Sequence, residues 1–159
     1  MISERVKLLG SLLKRIGYTC FSMRTFKERL ILQKQVYLLQ AFGLYLGYRY
    51  KWYLYGPYSS DLARDGFDLF NSELFSSLPK IKFGNPKAQA LFTQYLDFLG
   101  KKKNDPEWLE LISSIHCLTE IYPDSSKDKI IEKVVSKQPY FNETNCEKAW
   151  EYLQDTILI

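Results

Sequence analysis

The sequence predicts a mainly α-helical, compact domain with one short aromatic strand or β-hairpin, and its N-terminal part is compatible with a winged-helix-like arrangement. Apolar residues recur at helical spacing along most of the chain, whereas strand-like alternation is confined to two short segments. With 159 residues, of which 46% are hydrophobic and 16% aromatic, the chain is long enough to bury one core. We therefore expect a single domain over residues 1–159.

Two helices are predicted ahead of the aromatic segment. Ser3 is a suitable N-cap for a helix whose apolar residues run from Val6 to Ile16, and Gly17 follows as a helix end. A second helix is expected from Phe26 to Gly47, with Gly43 as a kink or a close helix contact.

The aromatic segment Tyr48–Tyr55 is predicted to be a strand, because it alternates and is rich in β-favouring residues. Gly56-Pro57 ends that strand, and Ser59 or Ser60 can cap a helix that extends to Leu78. Lys80–Phe83 predicts a second minimal strand or wing. Four further helices are expected, beginning at Pro86 and Pro106 and covering residues 127–137 and 143–155.

The charge is unevenly distributed along the chain. Residues 1–103 contain 17 Lys and Arg against 7 Asp and Glu, whereas residues 104–159 contain 5 against 11, so +10 and −6 combine to the net +4. A basic face that meets a polyanion or an acidic protein is one interpretation. The alternative is that the two parts pack together and partly neutralise each other.

Composition also indicates the compartment. Cys20, Cys117 and Cys146 are widely spaced and predict neither a disulfide framework nor a zinc site, which favours a reducing, cytoplasmic location. The longest apolar run is far shorter than a membrane span, and basic residues interrupt the N-terminal pattern at helical spacing. We expect a surface helix there rather than a signal peptide, and no association with membranes.

Two groups of residues invite a catalytic or metal-binding interpretation. His116 lies next to Cys117 and in helical register with Glu120, but it has no paired nucleophile, so a structural histidine is the favoured interpretation. Asp61, Asp65 and Asp68 have the spacing of one helix face and either bind a hard cation or form a solvated acidic face, which we favour. We therefore predict no enzyme activity, no cofactor and no metal.

The favoured site is a surface for a protein partner on the aromatic segment. Tyr53, Tyr55 and Tyr58 are suited to anchoring a partner or stacking on bases, with Ser59 and Lys34 beside them. For alternate members of this group we favour core packing, because one face of a strand in a small domain is normally buried. For Lys34 and its neighbour Gln33, the alternative to a contact with a phosphate or a partner carboxylate is a solvated helix face.

A nucleic-acid-binding regulator with a basic N-terminal face is the alternative function. Its contacts would come from lysines in the wing, at the start of the helix that begins at Pro86 and in the turn that follows that helix, namely Lys80, Lys82, Lys87, Lys101, Lys102 and Lys103. The helix that follows Ser59 is a poor recognition helix, because its four carboxylates would repel phosphates.

One combination of motifs resembles a known family. A Gln-Lys helix is followed by an aromatic strand that runs into Gly-Pro-Tyr-Ser, and the residues concerned are Leu32, Gln33, Lys34, Tyr37, Leu38, Tyr53, Tyr55, Gly56, Pro57, Tyr58, Ser59, Leu62 and Asp65. The pattern is similar to that of YwgA-like proteins and of the related Panacea, or SocA-like, antitoxin domain. Segments 108–118 and 137–153 resemble the same family.

The resemblance implies an α-rich fold without a known catalytic centre. It also implies an antitoxin-like or accessory subunit of a toxin–antitoxin or phage-defence system, which acts by protein–protein interaction. From the residues and the resemblance together, we expect a non-catalytic interaction module whose partner is a toxin or a subunit of a defence complex.

Overall fold

In a computed structural model, which describes residues 2–18, 22–156 and 158–159, the chain forms eight α-helices and one antiparallel two-stranded hairpin. The elements are α1 Glu4–Ile16, α2 Phe26–Ala41, β1 Lys51–Tyr53, β2 Gly56–Tyr58, α3 Ser60–Asn71, α4 Leu74–Ser77, α5 Pro86–Leu99, α6 Pro106–Ile121, α7 Lys127–Lys137 and α8 Glu143–Asp155. A 3-10 turn, Gly100–Lys102, follows α5. The prediction of a mainly α-helical fold with a short hairpin is confirmed.

Most helices begin where the sequence places a capping side chain. Each helix longer than four residues has an N-cap residue whose side-chain oxygen accepts a hydrogen bond from a backbone N–H of the first turn. These N-cap residues are Ser3, Thr25, Ser59, Asn85, Asp105, Ser126 and Asn142. At α2, Thr25 and Glu28 form a reciprocal capping box. These local bonds fix the helix starts independently of the tertiary fold.

The core is organised around α6. This helix packs against α2, α7, α8 and the hairpin strand β2, and it is buried without interruption from Leu109 to Leu118. The middle of α2 is almost as fully enclosed. The buried apolar residues of all eight described helices form one cluster, and α1, α3 and α5 cover its other sides.

The end of α2 and the hairpin differ from the prediction. Helix α2 ends at Ala41 rather than Gly47, because Gly43 adopts a φ of 103° and the Gln40 amide oxygen accepts from the backbone N–H groups of Leu46 and Tyr48. Strand β1 is only three residues long, and Gly56-Pro57 begins the second strand instead of ending the sheet. The turn is therefore Leu54-Tyr55, and Tyr53 pairs with Gly56.

The second predicted strand is wrong, and no wing forms at Lys80–Phe83. This segment runs along α1, where the Ile81 backbone N–H donates to the Ser11 carbonyl and Arg15 donates to the Ile81 carbonyl. Helix α1 thus provides the hydrogen bonds that a paired strand would otherwise supply. The helix predicted to extend to Leu78 is also divided, since α3 ends before Ser72, which has extended backbone angles.

Two further sequence expectations concern cysteines and membranes. Cys117 and Cys146 are buried free thiols, and Cys20 lies outside the described residues. None of the helices in the described ranges combines the length and the apolar character that crossing a bilayer requires.

Candidate functional site

The three tyrosines predicted to meet a partner all face solvent. Tyr53 is 59% exposed, Tyr55 41% and Tyr58 38%. The core packing that we favoured for alternate members is therefore wrong for these three tyrosines. The inward-facing aromatic residues of the segment are Tyr48, Tyr50 and Trp52. The side chains of the segment do alternate between two faces, and the predicted site lies on the outward face.

The exposed tyrosines line one side of an open cavity of about 300 Å³ between α2, the hairpin and α3. Its rim consists of aromatic side chains and one arginine, namely Phe26, Arg29, Tyr53, Tyr55, Tyr58 and Phe67. Its floor is formed by Met23, Leu30, Gln33, Lys34, Gly56 and Ala63. We call this cavity with its rim the aromatic groove. Such a volume lies at the lower limit of the range typical of ligand sites.

Ring contacts fix the shape of the rim. The ring centroids of Phe26 and Tyr55 lie 4.7 Å apart in an edge-to-face arrangement, which joins the start of α2 to the hairpin turn. Across the hairpin, the centroids of Tyr53 and Tyr58 are 5.6 Å apart. The rings are therefore held in place and remain exposed.

Gln33 and Lys34 bond to the backbone beneath the tyrosines. The Gln33 amide donates to the Ser59 carbonyl at 2.8 Å and accepts from the Ser59 N–H at 2.9 Å. The Lys34 ammonium donates to the Pro57 carbonyl at 2.7 Å. Lys34 is only 2% exposed, and Gln33 is also buried, so the interpretation of a solvated helix face is wrong for both.

Ser59 is buried as well, and its hydroxyl accepts from the Leu62 N–H as the N-cap of α3. In this arrangement, Ser59 and Lys34 contribute to the site from below, because they hold the elements that present the tyrosines. Whether they also contact a partner stays a prediction.

Gly56 allows the hairpin to approach α6 closely. A Cβ atom at this position would lie 2.3 Å from the Ser114 hydroxyl oxygen, and the residue has a φ of 91°, which side chains other than glycine rarely adopt. In the Gly-Pro-Tyr-Ser motif, packing against α6 therefore requires the glycine, and the serine caps α3.

The electrostatics beneath the groove involve two buried charged groups of opposite sign. Burial lowers the pKa of Lys34 to about 8, and the Glu110 carboxylate partly opposes this shift. Burial also raises the pKa of Glu110, which accepts hydrogen bonds from Gln138 at 2.6 Å and from Tyr140. Lys34 therefore remains mostly protonated at neutral pH but is poorly solvated.

The predicted acidic face does not form as one surface. The Asp65 carboxylate is buried and accepts from Arg5 at 2.8 Å and from the Tyr48 hydroxyl at 2.8 Å. Asp61 pairs instead with Arg64 on the same helix. The interpretation as part of a solvated face is therefore wrong for Asp65. Its carboxylate links α3 to α1 and to the segment before the hairpin through these hydrogen bonds. In the described ranges, no three His, Cys, Asp or Glu side chains are placed to hold a metal ion.

His116 lies in a polar contact inside the core. Its Nδ1 is 2.7 Å from the Tyr37 hydroxyl and its Nε2 is 3.7 Å from Glu120, the residue expected from helical register. Burial lowers the pKa of His116 and raises that of the adjacent Cys117 to about 11. A neutral imidazole and a protonated thiol are poorly prepared for nucleophilic chemistry.

The structure brings most of the predicted nucleic-acid contacts to one end of α1. Lys103 donates to the Ile16 carbonyl at 3.1 Å and Arg15 donates to the Ile81 carbonyl at 3.0 Å, so residues 80–82 and 101–103 both flank this end. We call Arg15, Lys80, Lys82, Lys101, Lys102 and Lys103 the basic end of α1. Lys87 lies in the first turn of α5, about 20 Å along the helix from Lys101.

Some residues of the aromatic groove were missed at the level of sequence. Phe26 and Arg29 lie in the first turns of α2, and Phe67 is exposed on α3. Phe67 is one position away from the buried series Leu62, Gly66 and Leu69, so its offset from the apolar stripe was a usable signal. Phe26 and Arg29 offered no comparable signal, because only the tertiary fold brings them beside the hairpin.

Comparison of the chain with models of known protein families, with curated proteins and with solved structures found no match.

Proposed function

We propose that this chain is a non-catalytic protein-interaction module that binds a protein partner through the aromatic groove. The observation that carries the proposal is the row of exposed aromatic side chains around a preformed apolar cavity. Aromatic residues that surround a pocket are enriched where binding energy is concentrated, and contiguous exposed apolar surface is unusual on a protein without a partner. The resemblance to antitoxin domains suggests an antitoxin-like or accessory subunit of a toxin–antitoxin or phage-defence system.

The rigidity of the groove supports the same proposal. Two buried side chains of α2 bond to the hairpin backbone, and the hairpin is packed on α6. A surface that is already in its binding conformation loses less conformational entropy on association. By contrast, the buried His116 and Cys117 lack access to a substrate, which is why we favour binding over catalysis.

The experiment is co-expression of the tagged chain with the proteins encoded beside its gene, followed by co-purification. We expect Tyr55→Ala and Tyr58→Ala to abolish recovery of the partner while circular dichroism shows an unchanged fold. The matched control is Tyr45→Ala, because Tyr45 is 68% exposed but does not line the groove. Equal recovery of a bound partner with all three variants would contradict the proposed surface.

Nucleic-acid binding is the second candidate, and the gathering of separate lysines at the basic end of α1 supports it. Several of these cations already bond within the chain, since Arg15 and Lys103 donate to backbone carbonyls and Lys102 lies 4.1 Å from the Trp108 ring centroid. Lys80, Lys82 and Lys101 have no hydrogen bond or ion pair within the described ranges and would supply the phosphate contacts.

For this candidate, we expect binding to weaken steeply as salt is added. Replacing Lys80, Lys82 and Lys101 by glutamine should lower the slope of log K against log salt by about 0.9 for each phosphate that is no longer neutralised. Lys129→Gln on α7 is the control, because Lys129 is exposed on another helix. Failure to bind duplex DNA, single-stranded DNA and RNA at low salt would exclude this candidate.

A further inference from the structure

The two edges of the hairpin differ in how their backbone groups are paired. Trp52 lies opposite Pro57, which has no N–H, so the two form a non-hydrogen-bonded pair of the ladder. In such a pair, the N–H and C=O groups point away from the partner strand. The Pro57 carbonyl accordingly accepts from Lys34 of α2 at 2.7 Å, and the Gln33 side chain bonds to both backbone groups of Ser59. Helix α2 therefore satisfies the outer edge of β2.

The outer edge of β1 has no such cover. Within the described ranges, no hydrogen bond involves the backbone N–H or C=O of Trp52 or of Tyr50. Exposure alternates from the buried Tyr48 to the exposed Tyr53, which is the pattern of an extended strand, although only Lys51–Tyr53 pair with β2. Because buried backbone groups are almost always paired, these unpaired groups face solvent. They are available to bond to another strand.

The exposed side chains beside this edge are cationic or aromatic. Arg49, Lys51 and Tyr53 alternate on the outward face, and the two cations have no hydrogen bond or ion pair within the described ranges. Residues 42–60 contain no Asp or Glu. We call the free backbone groups of this edge, together with these three side chains, the open edge of β1. Its cations therefore lack a counter-charge from their own segment.

We propose that the open edge of β1 takes up an extended segment of a protein partner as a third strand of the sheet. The backbone of that segment bonds to the free groups of Tyr50 and Trp52. On its outward face, an Asp or Glu lies opposite Arg49 or Lys51, and a large apolar residue two positions away packs on Tyr53. The inference rests on the proposed function in taking a protein as the partner. It adds a second contact surface, which shares Tyr53 with the aromatic groove.

Charge and backbone chemistry favour this occupant over two others. A second copy of this chain would bring another Arg49 and Lys51 to the same edge, and like charges opposite each other destabilise a strand pair. A nucleic acid would meet the cations, but its sugar-phosphate backbone has no N–H to donate to the Trp52 carbonyl. An acidic extended segment matches both the backbone groups and the charge of the edge.

The test selects random linear peptides displayed on phage against the full chain, with counter-selection on a double variant that carries Arg49→Glu and Lys51→Glu. Both side chains are exposed, so circular dichroism should show an unchanged fold. We expect the enriched peptides to share an Asp or Glu and a large apolar residue two positions apart. The absence of any enriched peptide that depends on these two cations would overturn the inference.

Synthetic forms of one enriched peptide then test the strand pairing by calorimetry. Only alternate residues of an added strand donate N–H groups to the edge. N-methylation at those positions should therefore weaken binding about tenfold or more, and at the intervening positions it should have much less effect. A loss that follows a helical period, or no loss at any position, would overturn the addition of a strand.

The charge pairing is tested with the same peptide. Exchanging its acidic residue for lysine should abolish binding to the wild-type chain and restore binding to the double variant. Lys129→Glu on α7 is the matched control, because Lys129 is exposed on another helix, and it should bind the original peptide as the wild type does. Equal binding of both peptides to the wild type would overturn the choice of an acidic segment.

Co-purification with the partner separates this inference from the proposed function. Recovery that is lost with Tyr55→Ala and Tyr58→Ala but kept with the double variant would overturn the inference and leave the proposed function standing. The reverse result would support the open edge of β1 and contradict the aromatic groove. A wild-type chain that sediments as a dimer, with a monomeric double variant, would assign the edge to a second copy and overturn the inference.

Discussion

The aromatic groove and the basic end of α1 both carry residue types that often mark binding surfaces, and in both of them polar side chains bond to the backbone, but the surfaces that they leave exposed differ. At the basic end of α1, long cationic side chains reach back to backbone carbonyls, as Arg15 and Lys103 do. In the groove, buried Gln33 and Lys34 bond to the backbone, and the exposed surface consists of aromatic rings. The type of a side chain therefore does not show whether it is available to a partner.

The largest effect should come from breaking the support beneath the groove with Gly56→Ala. The new Cβ would meet the Ser114 hydroxyl at 2.3 Å on a backbone with a φ of 91°. Overpacking typically costs about 1–3 kcal/mol and such strain about 1–3 kcal/mol, so we expect urea unfolding to show a loss of about 2–6 kcal/mol.

Gly84→Ala is the control for this substitution, because a Cβ there meets nothing within 4 Å. Its effect should stay within about 0.5 kcal/mol. If Gly56→Ala were equally mild, the close approach of the hairpin to α6 would not be a requirement of the fold.

The next effect is a dependence on pH that belongs to Lys34. Its pKa is about 8 in the folded chain against an ordinary 10.5, so the unfolded chain binds more protons between these values. Stability from this group therefore rises as pH increases from 8 to 10.5. Relative to Lys34→Met, the wild-type free energy of unfolding should increase by up to about 3 kcal/mol over that window.

This prediction is checked by urea unfolding of both proteins at a series of pH values. Tyrosines that titrate at high pH affect both proteins alike and cancel in the difference. A difference that stays constant from neutral pH to pH 10.5 would show that the Lys34 ammonium is not poorly solvated in the folded chain.

The smallest effect should arise at the basic end of α1 with Lys103→Met. The Lys103 ammonium donates to the Ile16 carbonyl at the C-terminus of α1, where a cation also interacts favourably with the helix dipole. We expect thermal unfolding to show a loss of about 0.5–1 kcal/mol. Lys101→Met, which removes no bond within the described ranges, should change stability less; an equal loss would argue against the capping role.

Much of the fold was predictable because its signals are local. Capping side chains such as Ser3, Asn85 and Asp105 lie directly before the helices they start, and those starts were placed correctly. The failures occurred where distant groups replace local bonds. The Gln40 side chain accepts hydrogen bonds from backbone N–H groups that would have prolonged α2, and the backbone of α1 accepts a hydrogen bond from the segment expected to form the wing.

The candidate site was predictable in part for the same reason. Period-two alternation correctly divides the aromatic segment into two faces, with Tyr48 inward and Tyr53 outward. It does not say which face is buried, and it gives no information on Phe26, which reaches the groove from a different helix.

By itself, the sequence determined the helical class, most of the helix starts and the presence of a short aromatic strand, since each depends on residues a few positions apart. Only the tertiary structure decided that Gln33, Lys34 and Ser59 lie beneath the tyrosines rather than beside them. It also decided that Asp65 is buried against Arg5. The physical reason is that burial and long-range hydrogen bonds depend on which elements pack together, and a side chain's type leaves that open.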